Sequence, residues 1–153
     1  MPTLEGPIVE PQISEKPKQL VIFCHGYGAD GNDLIGLSSY FQNILPNAIF
    51  MSPNAPQKCD LNPLGYQWFD FQSGDPVLIW KGVLEAASIL NSFIDEQLKK
   101  YNLSDDNLAL IGFSKGTMMS LHVGLRRETP IRALVGFSGK LIGTDLSGNK
   151  YYQ

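Results

Sequence analysis

The sequence is poor in the residues on which several common chemistries depend. It holds two cysteines, Cys24 and Cys59, in no CxxC or zinc-ligand spacing, which excludes a disulfide framework and a Cys/His metal centre. Cys24 falls in an apolar run, where a free thiol acts as a small hydrophobe, and is expected to be buried and reduced. Basic residues are scarce: 12 Lys and Arg against 15 Asp and Glu give a net charge of −3, which provides no electrostatic footprint for nucleic acid. Like charges form no run of the kind seen in binding tails. No unbroken apolar stretch reaches the roughly 18 residues of a membrane span. The N-terminus, MPTLEGPIVEPQ, lacks the basic and apolar regions of a secretory signal, so the cytoplasm is the expected compartment. What remains, with 43% hydrophobic and 18% charged residues over 153 positions, is the composition of one globular domain with a core of its own.

Strand and helix signals alternate along the chain. Residues 1–18 carry four prolines and little periodicity, and are expected to form an extended arm with an edge strand near residues 7–9. Residues 20–24 are continuously apolar and suit a strand buried on both faces. Leu34, Leu37, Phe41, Ile44 and Leu45 then recur at helical spacing, with Asp30 or Asn32 as a cap and Pro46 beyond the end. Further strands are expected at 48–51, 107–111 and 133–137. Helices are expected from Pro76, with a stripe of Val83, Ala87, Leu90, Ile94 and Leu98, and over 115–128. Residues 52–74 have no regular pattern, and a loop of that length is usually functional. The pattern predicts an α/β fold with a mostly parallel sheet and helices on both faces. The expected organisation is an arm at 1–18, a domain at 19–139 and a polar tail at 140–153.

Two glycine loops compete to define the chemistry. Gly26, Gly28 and Gly31 fit G-x-G-x-x-G, the dinucleotide-binding fingerprint, between a strand and a helix. That reading also requires an acidic residue about 20 positions on to hold the ribose. Between Asp33 and Asp60 there is no Asp, Glu or Arg. The second loop, GFSKG at residues 112–116, fits G-x-S-x-G, a sharp strand-to-helix turn that holds a serine above the sheet at the positive end of the following helix. The glycines two positions before and after the serine leave room for the turn. The pattern alone arises by chance in roughly one chain in twenty of this size. Here it stands between an apolar strand and a helix, as the turn requires. The two loops then explain each other: Ser114 needs two backbone N–H donors, one from Lys115 and one from a loop after an earlier strand, where Tyr27 in HGYG stands.

HGYGADGND, SPNAPQ, the WFD of Trp68 to Asp70, GFSKG and SGKL together, in this order and spacing, resemble the cytosolic carboxylesterase/phospholipase family that includes acyl-protein thioesterases. The resemblance spans about residues 20–141. It implies an α/β-hydrolase fold, Ser114 as nucleophile, and the backbone N–H groups of Tyr27 and Lys115 as the oxyanion hole. The substrates it implies are carboxylic esters, lysophospholipids or acyl thioesters, with no cofactor and no metal.

The sequence departs from the family pattern in two respects. Lys115 stands where the family usually has glutamine, and places a cation next to the nucleophile. The triad acid and base, which follow the serine in this fold, have no counterpart in the sequence. The chain is therefore expected to lack the C-terminal strands of the fold and to be weak or inactive alone. It could be completed by a C-terminal fragment, or be a non-catalytic acyl-binding remnant. His25 is expected to stabilise its loop, and His122, about 12 Å along the helix from Ser114, to be packed. Asp145 is expected to be a solvated loop residue. Trp68, Phe69 and Phe71 suit either an acyl pocket or the core, and Met118 and Met119 suit the core.

Overall fold

The computed structural model describes residues 3–142. Its centre is a five-stranded sheet. In chain order the strands are β1 (Ile8–Val9), β2 (Gln19–Cys24), β3 (Ala48–Met51), β6 (Leu108–Phe113) and β7 (Ala133–Phe137), arranged β1-β3-β2-β6-β7. The last four are parallel, and β1 pairs antiparallel with β3, Ile8 opposite Met51. Between β3 and β6 lies a two-stranded ribbon of β4 (Gln57–Lys58) and β5 (Tyr66–Gln67). That ribbon organises the segment expected to be structureless. Strands of two residues carry too little pattern to be legible beforehand.

The helices are α1 (Asn32–Ile35), α2 (Ser38–Phe41), α3 (Pro76–Tyr101) and α4 (Lys115–Gly124). On one face of the sheet, Leu20, Ile22, Ile49, Met51, Leu108 and Leu110 pack under α3 and α4. On the other, Val21, Phe23, Phe50 and Ile111 pack under Leu34, Ile35, Phe41 and Leu45. The parallel strands are apolar throughout because both faces are covered.

Two helix expectations are corrected. The helix after the glycine loop is broken into α1 and α2 at Gly36 and Leu37. Leu37 N–H donates to Leu34 O, and Ser39 Oγ to Gly36 O, bonds that close tight turns in place of an α-helical ladder. Ile44, expected on its buried face, is 73% exposed. The helix after Ser114 ends at Gly124, short of residue 128. Arg127 is drawn away to pair with Asp105 and with Asp95, the latter at 2.7 Å.

The long helix α3 starts where Pro76 predicts. Asp75 caps it, its side chain accepting from Val77 N–H at 2.9 Å, and Asn102 ends it in the left-handed conformation. Val83, Leu90, Ile94 and Leu98 are buried as expected. The sequence had no unbroken apolar run long enough to span a membrane, yet α3 has 26 residues and a window of mean hydropathy 1.4, enough by length and composition alone. Its buried stripe lies on the sheet, so those two properties are weak support for a span.

Candidate active site

In a parallel sheet the loops that follow the strands gather along one edge. The loop after β2 and the turn after β6 therefore lie side by side, since β2 and β6 are neighbours. Ser114 is the residue between β6 and α4, at the helix entrance rather than within it. Its backbone is at φ 53°, ψ −116°, a region that costs a non-glycine residue about 1–3 kcal/mol. Ser114 N–H donates to Phe137 O at 2.8 Å, and its side chain makes no capping bond to the helix it opens.

The glycines flanking Ser114 show why the turn needs them. A Cβ on Gly112 would lie 2.6 Å from Gly116 O and Thr117 N. One on Gly116 would lie 1.9 Å from Cys24 O and 2.6 Å from His25 O. Thus the start of α4 abuts the backbone of the loop after β2. From the other side, a Cβ on Gly26 would lie 3.5 Å from Ser114 Cβ. The two glycine loops are in contact, and Tyr27 and Lys115 are each next in sequence to that contact.

The dinucleotide reading fails on the same loop. The amides after Tyr27 that the fingerprint would use are already engaged: Gly28 N–H donates to Tyr66 O, Gly31 N–H to Asn54 Oδ1, and Asn32 N–H to Asp30 Oδ1. Gly31 is packed so that a Cβ would lie 2.0 Å from Ser52 O. No group of amides is left to hold a pyrophosphate there.

His25 is a structural residue. It is fully buried, and its Nε2 accepts from Ala55 N–H at 2.9 Å. The proton therefore sits on Nδ1, which faces Gly26 O at 2.7 Å. Burial lowers its pKa and keeps it neutral. The His25 carbonyl accepts from Trp68 Nε1 at 2.8 Å, so this one residue ties the HGYG loop to both SPNAPQ and the buried Trp68. His122 is buried on α4 edge-to-face with Trp80 and near Ile142 O. Asp145 lies outside the described residues. Burial raises the Cys24 thiol to about 11, as suits an inert core cysteine, and Cys59 is also free and buried.

The aromatic segment divides between the expected uses. Trp68 and Phe69 are buried in the core, while Phe71 is 44% exposed and stands edge-on to Tyr27 at 5.1 Å. Tyr27 OH accepts from Gln72 Nε2, and its hydrogen bond with Cys59 raises the phenol above its ordinary range. The Lys115 side chain, expected as a cation beside the nucleophile, turns under Phe71. Its Nζ lies 3.4 Å from the Phe71 ring centroid and 3.4 Å from Phe69 O. Burial lowers the ammonium to about 8, with Asp70 opposing the shift. This convergence was not legible beforehand. Its one trace in the sequence was lysine where the resembled family has glutamine.

Residues 5–148 match the phospholipase/carboxylesterase family. The chain is 28% identical over 146 residues to acyl-protein thioesterase 1 of Schizosaccharomyces pombe, covering 90% of this chain and 62% of that protein. It is 30% identical over 138 residues to acyl-protein thioesterase 1 of Candida albicans, covering 84% and 60%. Among solved structures, esterase PE8 superimposes with a TM-score of 0.83 at 38% identity, covering 91% of this chain and 65% of that one. The chain thus spans less than two thirds of the length of these relatives. The sheet, the strand-to-helix turn at Ser114 and a match over nearly the whole chain agree: the protein is a member of the phospholipase/carboxylesterase family, with the α/β-hydrolase fold.

Proposed function

We propose that this chain carries the nucleophile and oxyanion hole of a serine hydrolase acting on carboxylic esters, lysophospholipids or acyl thioesters. The observation that carries the reading is Ser114: a strained serine between strand and helix, with no capping bond, against the loop that holds Tyr27. Ser114 Oγ attacks the acyl carbonyl, and water later resolves the acyl-enzyme. The amides of the first turn of α4 have no partner within the helix, and the helix dipole adds to their pull on negative charge. Lys115 N–H is the first of them, and serves as one oxyanion donor. Tyr27 N–H, across the contact made by Gly26, is the other. Strained geometry at Ser114 keeps the hydroxyl at the mouth of the site rather than folded back onto the helix.

The hydroxyl needs a general base. His25 has both ring nitrogens engaged, and His122 is packed against Trp80 two turns into the helix. We place the base and its carboxylate partner in polypeptide corresponding to the remaining third of the relatives, continuous with this chain or separate from it. Edge strand β7 is where such polypeptide would join the sheet. Its Val135 and Phe137 are 43% and 55% exposed. We place the activity in the cytoplasm.

The test is p-nitrophenyl ester turnover and fluorophosphonate labelling by the 153-residue chain, alone and with the C-terminal third of a relative added. Alone, turnover is expected near the residual left to oxyanion hole and binding, on the order of 10³–10⁴ over water. Addition should raise both, and Ser114→Ala should abolish labelling and the turnover gained on addition. Labelling that survives Ser114→Ala would overturn the nucleophile assignment. Failure of any added segment to accelerate labelling would favour a non-catalytic acyl-binding remnant.

A further inference from the structure

Lys115 is only 9% exposed, and its ammonium is held by aromatic rings. Nζ lies 3.4 Å from the centroid of Phe71, 4.4 Å from that of Tyr27 and 4.7 Å from that of Phe69. The rings come from two segments: Tyr27 from the loop after β2, and Phe69 and Phe71 from the stretch between β5 and α3. With Lys115 at the start of α4, three segments of the chain converge on one point. The Phe69 carbonyl, at 3.4 Å, adds a long hydrogen bond. Ring faces around a positive charge form the arrangement with which proteins hold quaternary ammonium groups, because each ring presents the negative face of its quadrupole to the cation.

The position of this cage matters as much as its make-up. The lysine that fills it is the residue after Ser114, and Tyr27, one of its walls, is the proposed second oxyanion donor. A substrate whose carbonyl sits at Ser114 therefore brings its acyl or alcohol arm up to these rings. An unfilled cage there would attract a choline-type head group. Filled by Lys115, it presents a positive charge to the same arm and has no free ring face to offer a second cation.

We propose that Lys115 is a specificity-determining residue that occupies an aromatic ammonium cage from within, excluding substrates with a quaternary ammonium group beside the scissile carbonyl and leaving the site to uncharged and anionic esters. This inference rests on the reading of Ser114 as nucleophile, and it narrows the substrates of that reading against choline esters.

The test has one arm that needs no reactivity at Ser114. Tetramethylammonium is titrated into the 153-residue chain, and its methyl proton resonance is followed for the upfield ring-current shift of a cation among aromatic faces. Wild type and Lys115→Arg, which keeps the cation, should show no saturable shift. Lys115→Ala, which empties the cage, should show one. Adding Phe71→Ala to Lys115→Ala should weaken it about tenfold, the scale of one desolvated cation–π contact. The same titration in the Ser114→Ala background should give the same result. Saturable binding to wild type, or none to a folded Lys115→Ala, would overturn the cage.

The second arm covers the case in which Lys115→Ala fails to fold. It compares two fluorophosphonates of equal shape, one with a 3,3-dimethylbutyl arm and one with a trimethylammonioethyl arm. Mass spectrometry reads their labelling rates at Ser114 in wild type and in Lys115→Met, which keeps the length of the side chain without its charge. The neutral probe should be favoured at least about tenfold in wild type, and the ratio should fall toward one in Lys115→Met. An unchanged ratio would overturn the specificity role. If neither probe labels Ser114 even with the C-terminal third of a relative added, the nucleophile reading fails, and the tetramethylammonium arm still decides the cage.

Discussion

Replacing Gly116 by alanine tests the contact on which the proposed site depends. The new methyl group would lie 1.9 Å from Cys24 O, 2.4 Å from Cys24 C and 2.6 Å from His25 O. These are backbone atoms at the end of the central strand β2, and cannot swing aside as a side chain can. Ordinary contact begins at 3.4 Å, so helix and loop must separate by about 1.5 Å, and strain of this kind costs about 3 kcal/mol or more. Alanine returns about 1 kcal/mol through its better helix propensity. The expected net loss is at least about 2 kcal/mol, a large fraction of the roughly 5–15 kcal/mol that holds a domain together.

Gly36 provides the matched control. Its backbone is at φ −60°, ψ −22°, and a Cβ there would meet nothing within 4 Å. Gly36→Ala should be neutral or stabilising by up to about 1 kcal/mol. Urea unfolding followed by tryptophan fluorescence would read both, since the indole of Trp68 is bonded to His25 O at the contact in question. Gly116→Ala should also slow fluorophosphonate labelling, because it moves Ser114 away from Tyr27. A Gly116→Ala protein that unfolds within about 0.5 kcal/mol of wild type would mean that α4 does not press on the HGYG loop, and the shared oxyanion hole would fall with that contact.

Three further outcomes are expected. Ser114→Gly should be more stable than Ser114→Ala by about 1 kcal/mol in the same urea assay, since only glycine relaxes at φ 53°; equal midpoints would show that the turn is unstrained. Lys115 titrates at 10.5 unfolded and about 8 folded, so between those values the unfolded chain binds more protons and stability rises with pH. The rise, about 1–2 kcal/mol after allowance for partial solvent access, should vanish in Lys115→Met; in the difference between the two proteins the titrations of Tyr27 and Cys59 near the ammonium largely cancel, and a flat difference from pH 8 to 10.5 would refute the burial. The open edge and outer face of β7, with Val135 and Phe137 exposed, should make the concentrated chain associate, and Val135→Lys with Phe137→Lys should disperse it in sedimentation velocity; a wild-type chain already monodisperse at high concentration would refute this.

The parts of the fold legible in the sequence are those whose signal is local. The parallel strands fall within two residues of their expected ends because each is apolar along its whole length, as burial on both faces demands. Pro76 announced the start of α3 because proline suits the first turn and no later one. The break between α1 and α2 was hidden because Leu34 and Phe41 keep helical spacing across it, and periodicity does not register that Gly36 lets the ladder lapse. In the site, Gly112, Ser114 and Gly116 could be assigned from spacing because the turn's steric demands act over five consecutive residues. The cage around Lys115 could not. Tyr27, Phe69 and Phe71 meet it only after two loops and a ribbon have folded, and no spacing in the sequence encodes that meeting.

The clamps on Ser114 follow the order of the sheet. β6 lies between β2 and β7, so the turn at its end has a neighbour on each side. On the β2 side, Gly116 lets α4 reach the carbonyls of Cys24 and His25. On the β7 side, Phe137 O accepts from Ser114 N–H and from Thr117 Oγ1, and Phe137 N–H donates to Thr117 Oγ1 at 3.0 Å. Gly136 and Gly139 make that approach possible, since a Cβ on either would lie 2.4 Å from a Thr117 side-chain carbon. A backbone held at φ 53° stays there only if its surroundings outweigh the strain, and here both flanking strands contribute. A strand added beyond β7 could not take part in this clamp, because β7 would stand between it and Ser114. The proposed nucleophile and oxyanion donors can therefore be set by β2, β6 and β7 alone, while the base proposed for Ser114 would arrive on a loop from farther along the sheet. That geometry is why β2, β6 and β7 hold a formed turn at Ser114, and why reactivity, rather than folding of the turn, is the property that the proposed added polypeptide should change.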